Sequence, residues 1–182
     1  RRRHEDARMY RRILVCTDGS ARAQYAAHEG VVLAAKLKAG VVALLVTPPF
    51  EPPKGYESSP LAVQIERHMR ESKAAAKRWL GAIAEWANAA RVPCKTLHIG
   101  QYPPATTIIE TAARENCDLI VMGSHGRGVL GQVMLGSVTT RVASVCSVPL
   151  LIVRMPKGRR GPAARPGKAA RAQPRASAGR LG

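Results

Sequence analysis

The residues best suited to chemistry in this 182-residue chain are Gly123-Ser124-His125-Gly126 and, nine residues further on, Gly136-Ser137. Glycines let a backbone come close to a phosphate, and the free N–H groups at a helix N-terminus point at an anion. The stretch follows the strongest strand signal in the sequence, Asp118-Leu119-Ile120-Val121-Met122, and leads into a helical run over 138–145 for which Ser137 is the expected cap. A strand, a glycine-rich loop and a capped helix start together build an anion site. On spacing alone the same glycines equally suit a tight turn that only satisfies backbone geometry. A second polar loop, Thr17-Asp18-Gly19-Ser20, follows the first apolar run. Its Asp18 could accept hydrogen bonds from a ribose or hold a divalent metal beside phosphates.

Other chemistries fit less well. Gly126-Arg127-Gly128-Val129-Leu130-Gly131 has the form G-x-G-x-x-G, but a dinucleotide site needs a further strand and an acidic residue about twenty positions on. At that distance stand Leu150, Leu151, Ile152 and Val153. A phosphate loop of the form G-x-x-x-x-G-K-[ST] does not occur, and residues 123–137 contain no lysine. Efficient phosphoryl transfer needs a positioned base and cationic help; His125 reads as a loop or phosphate-contacting residue, and Arg127 as solvent-facing. His4, His28, His68 and His98 form no partner set with Ser20 or Ser137. Cys16, Cys94, Cys117 and Cys146 are far apart without a Cys-x-x-Cys pair, so they read as buried reduced thiols.

The elements that must hold these loops alternate. Apolar runs at 12–17, 41–47, 118–122 and 149–153 have the composition of buried strands, and 93–99 alternates like an edge strand. Helical periodicity covers 21–38, with Ser20 as N-cap and Gly40 just past the end. It also covers 61–90, with Leu61, Ile65, Met69, Ala76, Leu80, Ile83 and Ala87 on one side, and 105–115 behind a proline start. Trp79 and Trp86 read as core residues. Alternating strands and helices imply a parallel α/β sheet with helices on both faces and right-handed crossovers. Ligands of such sheets bind at the carboxyl ends of the strands where strand order reverses.

The formal charge of +17 is concentrated at the ends. Residues 155–182 carry eight Lys or Arg and no acid; residues 1–12 carry six against Glu5 and Asp6, leaving a balance of +5 for 13–154. The organisation expected is a basic extension over 1–11, a domain over 12–154 and a disordered basic tail over 155–182. The tail could attract nucleic acid or another acidic partner by counterion release, but it has no aromatic residue for base stacking. No apolar run has the length of a membrane span, and no apolar signal core follows Arg1-Arg2-Arg3, so the expected compartment is the cytoplasm.

The spacing Gly123-x-x-Gly126, nine residues, Gly136-Ser137, between the 119–122 and 149–153 strands and with Thr17-Asp18-Gly19-Ser20 at the start, resembles the nucleotide-binding branch of the universal stress protein family. The resemblance covers about 12–154. It implies an open five-stranded parallel sheet of order 3-2-1-4-5, which makes the first and fourth strands neighbours and brings the two loops to one crevice. It further implies an ATP pocket, with Mg2+ at most beside Asp18. Asp18 would lie near the ribose and the backbone of Val46 against the adenine, with Thr17 also among the nucleotide-binding residues. Gly123, His125, Gly126, Gly136 and Ser137 would surround the phosphates, with Met122, Val138 and Thr139 beside them. A homodimer through 149–153 is also implied. Because the loop offers no clear base, at most weak ATP hydrolysis or autophosphorylation is expected, and a slow ATPase is one alternative reading. Cys16 stands where the family usually has proline and Leu45 where it often has histidine, and the turn at Gly100-Gln101-Tyr102-Pro103 is one residue longer than usual. The alternative is an interaction or chaperone-like protein with an empty pocket that recruits partners through its tail.

Overall fold

The computed structural model describes residues 9–51, 60–100, 102–124, 135–156 and 158–159. Its first strand, β1 (Arg12–Thr17), is buried from Ile13 onward, as a strand covered on both faces must be. It lies between β2 (Gly40–Thr47) and β4 (Leu119–Gly123); β3 (Cys94–Gly100) and β5 (Leu150–Val153) form the two edges. All four pairings are parallel and the order is β3-β2-β1-β4-β5, which makes this the α/β sheet that the sequence implies. The amino end of the sheet is tied by Asp118, whose carboxylate accepts from the backbone N–H of Arg11 at 2.7 Å and of Arg12 at 3.0 Å.

Period-two alternation divides the core. Ile13, Val15, Ala43, Leu45 and Val121 face α1 (Ala21–Leu37) and α2 (Leu61–Ala89), which contribute Ala27, Val31, Ala34, Leu80 and Ile83. Leu14, Cys16, Val42, Leu44, Ile120 and Met122 face α3 (Pro104–Arg114) and α4 (Ser137–Val145), which contribute Ile108, Ala112 and Val142. Helix α1 approaches the sheet closely at Gly30: a Cβ there would lie 2.9 Å from Val15 Cγ2 and 3.3 Å from Val121 Cγ1. Trp79 and Trp86 are partly buried against the α1–α2 side of the core.

Three local expectations change. Helix α1 is closed by Lys38, left-handed at φ 54, with its N–H on Ala34 and Ala35 carbonyls, while Gly40 opens β2. Helix α4 has Gly136 as N-cap, extended at φ −61 and ψ 151 with no side-chain cap bond, so Ser137 is its first helical residue. The apolar side of α2 is buried only from Ala76 on; Leu61 and Met69 are 54% and 53% exposed. A helix of 29 residues is about 43 Å long and a strand of eight about 26 Å, so an antiparallel helix outruns the sheet. The overhang projects past the carboxyl ends of the strands. Among the described residues no helix is long and apolar enough to cross a membrane.

Candidate functional site

A cavity of about 740 Å³ opens at the carboxyl ends of β1, β2 and β4, where the strand order reverses. Its volume is within the range of small-molecule sites, about 300–1,000 Å³. Of the residues singled out in the sequence, Thr17, Asp18, Val46, Met122, Gly123, Gly136, Ser137, Val138 and Thr139 line it. His125 and Gly126 lie outside the described residues, as does the G-x-G-x-x-G stretch.

The β1 side is a compact hydrogen-bonded turn. Thr17 Oγ1 accepts from Gly19 N–H at 3.0 Å and from Gln24 Nε2 at 3.2 Å. Asp18 Oδ1 accepts from Ser20 N–H at 2.9 Å, and Ser20 Oγ caps α1 by accepting from Ala23 N–H at 3.2 Å. Gly19 has φ +81, and the Trp79 indole lies where its Cβ would be. Helix α2 thus supports the loop that carries Asp18. Gln24 is buried behind Thr17, a polar residue on the inward side of α1.

The β4 side turns sharply into α4. Ser124 N–H donates to Val153 O at 3.0 Å, Gly136 N–H to Ser124 O at 2.9 Å, and buried Thr139 Oγ1 to Gly123 O at 3.0 Å. These bonds fix the start of α4 beside the end of β4. The first-turn N–H groups of Ser137, Val138 and Thr139 have no acceptor from the cap residue, because glycine brings no side chain. The positive end of the α4 dipole is therefore directed toward the cavity.

Helix α2 supplies a wall that the sequence did not reveal, with His68, Glu71, Ser72 and Ala75; α3 adds Pro104 and Ile108. His68 and Ser72 continue the line of Ile65, Ala76 and Leu80 at spacings of three and four, so polar residues interrupting that stripe are the signal that marks the cavity. Arg67 Nε bonds to Glu71 Oε1 at 2.8 Å and, by that hydrogen bond first, lowers the Glu71 carboxyl below its usual range. At the end of β2, Thr47 Oγ1 and His98 Nε2 are 2.9 Å apart. Burial, and then the Lys73 charge, push His98 below its ordinary value. Cys16, at the base of the cavity, has its thiol pushed up by burial first, then by Cys117 and Cys146. Among the described residues the cavity is lined by no lysine or arginine, and no cluster of three His, Cys, Asp or Glu could hold a metal. The arrangement suits a ligand with an apolar part and an anionic end directed at α4.

Residues 9–154 match the universal stress protein family model. A universal stress protein of Thermus aquaticus is 32% identical over 146 residues, covering 80% of this chain and all of that protein. Among solved structures, the universal stress protein UspA from Lactobacillus plantarum aligns with TM-score 0.63 and 27% identity, covering 80% of this chain and 98% of its own. The universal stress protein from Archaeoglobus fulgidus, solved in complex with dAMP, aligns with TM-score 0.57 and 18% identity over 79% of this chain and 97% of its own.

Proposed function

The chain belongs to the universal stress protein family, and we propose that it is a cytoplasmic, nucleotide-responsive regulatory protein that holds ATP in the crevice between β1 and β4. The observation that carries this reading is the pairing, across one cavity, of Asp18 with the uncapped start of α4. One end offers a carboxylate for ribose hydroxyls; the other offers backbone N–H groups and a helix dipole for phosphates. Val46 and Leu45 at the end of β2, with Met122 at the end of β4, give the base an apolar slot and backbone groups to bond. The Archaeoglobus fulgidus relative holds dAMP on the same fold. At 18% identity that likeness extends to the fold, and the reading rests on the crevice.

Mg2+ fits this donor set. It is usually held by one or two carboxylates together with substrate phosphates, and Asp18 would be the protein ligand. The ion would offset the negative charge of a polyphosphate near Asp18 and Glu71. Within the cavity no described lysine or arginine is available to meet charge building on a transferred phosphoryl group. The site accordingly reads as one that retains nucleotide more than it turns it over. Mass spectrometry of the small molecules released by denaturing freshly purified protein checks this. An adenine nucleotide in stoichiometric amount is expected, and a folded protein that carries none and takes up none at millimolar ATP contradicts it.

A further inference from the structure

The α2 wall has a feature that the family resemblance does not explain. His68 lines the cavity, and its Nε2 is shut off from solvent with no hydrogen-bond partner among the described residues. Leaving a buried polar atom unpaired is destabilising, so such atoms persist where something else supplies the partner. The ring is held from the side by Phe50, whose centroid is 5.2 Å away at 48°. Phe50 follows the end of β2 by three residues, so this contact brings His68 to the end of the cavity formed by Val46 and Thr47. It is the end assigned above to the base. His68 also stands on the same helical line as Ile65, Ser72 and Ala76, where an apolar residue would have filled the space without loss.

We infer that His68 is a specificity-determining residue, its Nε2–H donating to a ring nitrogen of a bound purine. The inference rests on the nucleotide reading of the cavity. If the backbone at Val46 takes the Watson–Crick edge, the edges left to α2 carry the ring acceptors N3 and N7 beside the outer N6–H, so a partner on α2 that reaches a ring nitrogen must donate. A neutral imidazole does so from one nitrogen.

The test is calorimetry on the full chain with ATP, 7-deaza-ATP and 3-deaza-ATP, for the wild type and for His68→Phe, His68→Gln and His68→Asn. The wild type should lose roughly five- to tenfold in affinity on one of the two deaza analogues, the usual effect of a single neutral hydrogen bond. His68→Phe should bind ATP that much more weakly and no longer distinguish ATP from that analogue. His68→Gln, whose amide nitrogen reaches the Nε2 position, should restore the discrimination; the shorter His68→Asn should not. A wild type that binds ATP and both analogues equally, or a folded His68→Phe that keeps the wild-type preference, overturns the role of His68 and leaves the nucleotide reading standing. A folded wild type that binds no ATP overturns both.

Discussion

Gly136, at φ −61 and ψ 151, has a backbone conformation open to any residue. Aspartate is a favoured N-cap, so Gly136→Asp should keep thermal stability while setting a negative charge where the phosphates are proposed to sit. A loss of at least tenfold in ATP affinity without a lower Tm is expected. Asp18→Ala should also cost roughly ten- to hundredfold, since hydrogen bonds to a charged group contribute about 1.5–3 kcal/mol. The thiols give a pH prediction. Burial, opposed by Arg12 and reinforced by Glu115 and Asp118, pushes Cys117 from its ordinary 9.0 up to about 11. The unfolded chain then releases this proton at lower pH than the folded chain, so stability is full below pH 9.0 and is lost as pH rises toward about 11. The urea midpoint should fall across that window, and Cys117→Ala should reduce the slope; an identical slope in the variant contradicts the assignment. At this scale the sequence discloses the polar loops, because glycine, serine and aspartate after an apolar run mark the turn at a strand's carboxyl end, where ligands of such sheets bind. It does not disclose His68, Glu71 or Ser72 as cavity residues, because the breaks that polar residues make in the apolar line of α2 gain a meaning only once that helix is seen to overhang the sheet.

Gly30 and Gly19 show how closely the elements must meet to hold the crevice. Valine at 30 would meet Val15 and Val121, both fully buried and branched, and overpacking of this kind costs about 1–3 kcal/mol. Gly30→Val should lower stability by that amount in urea denaturation. Gly19→Ala is strained at φ +81 and would displace Trp79, so a loss of at least about 1–2 kcal/mol is expected, with weaker ATP binding through the Asp18 loop. The five strands and four helices of the described residues are legible in the sequence because buried parallel strands read as short apolar runs and their helices carry a 3.6 period. The caps are less so: Lys38 takes the left-handed position that Gly40 was expected to serve, since a helix end responds to packing as well as to residue type. The overhang of α2 is a matter of relative length, which periodicity does not report.

Over the whole molecule the charge of +17 and the edge of β5 raise separate questions. Arg159, in the segment expected to lack order, donates to Tyr25 Oη on α1 at 3.2 Å, its guanidinium 5.9 Å from the ring; residues 160–182 lie outside the described chain. Strand β5 ends the sheet with Leu151 41% exposed, and the homodimer that the family resemblance implies would pair there. Leu151→Asp should shift the protein toward monomer in sedimentation velocity. Because so basic a chain attracts any polyphosphate, nucleotide binding must be separated from simple charge attraction. The most direct test is calorimetric titration of ATP into the full chain and its Gly136→Asp variant at physiological salt. Saturable binding of one ATP per chain, lost in the variant, is the expected result. No saturable heat from a folded wild type at millimolar ATP, or heat unchanged in Gly136→Asp but abolished by removing residues 160–182, would contradict a nucleotide held between β1 and β4.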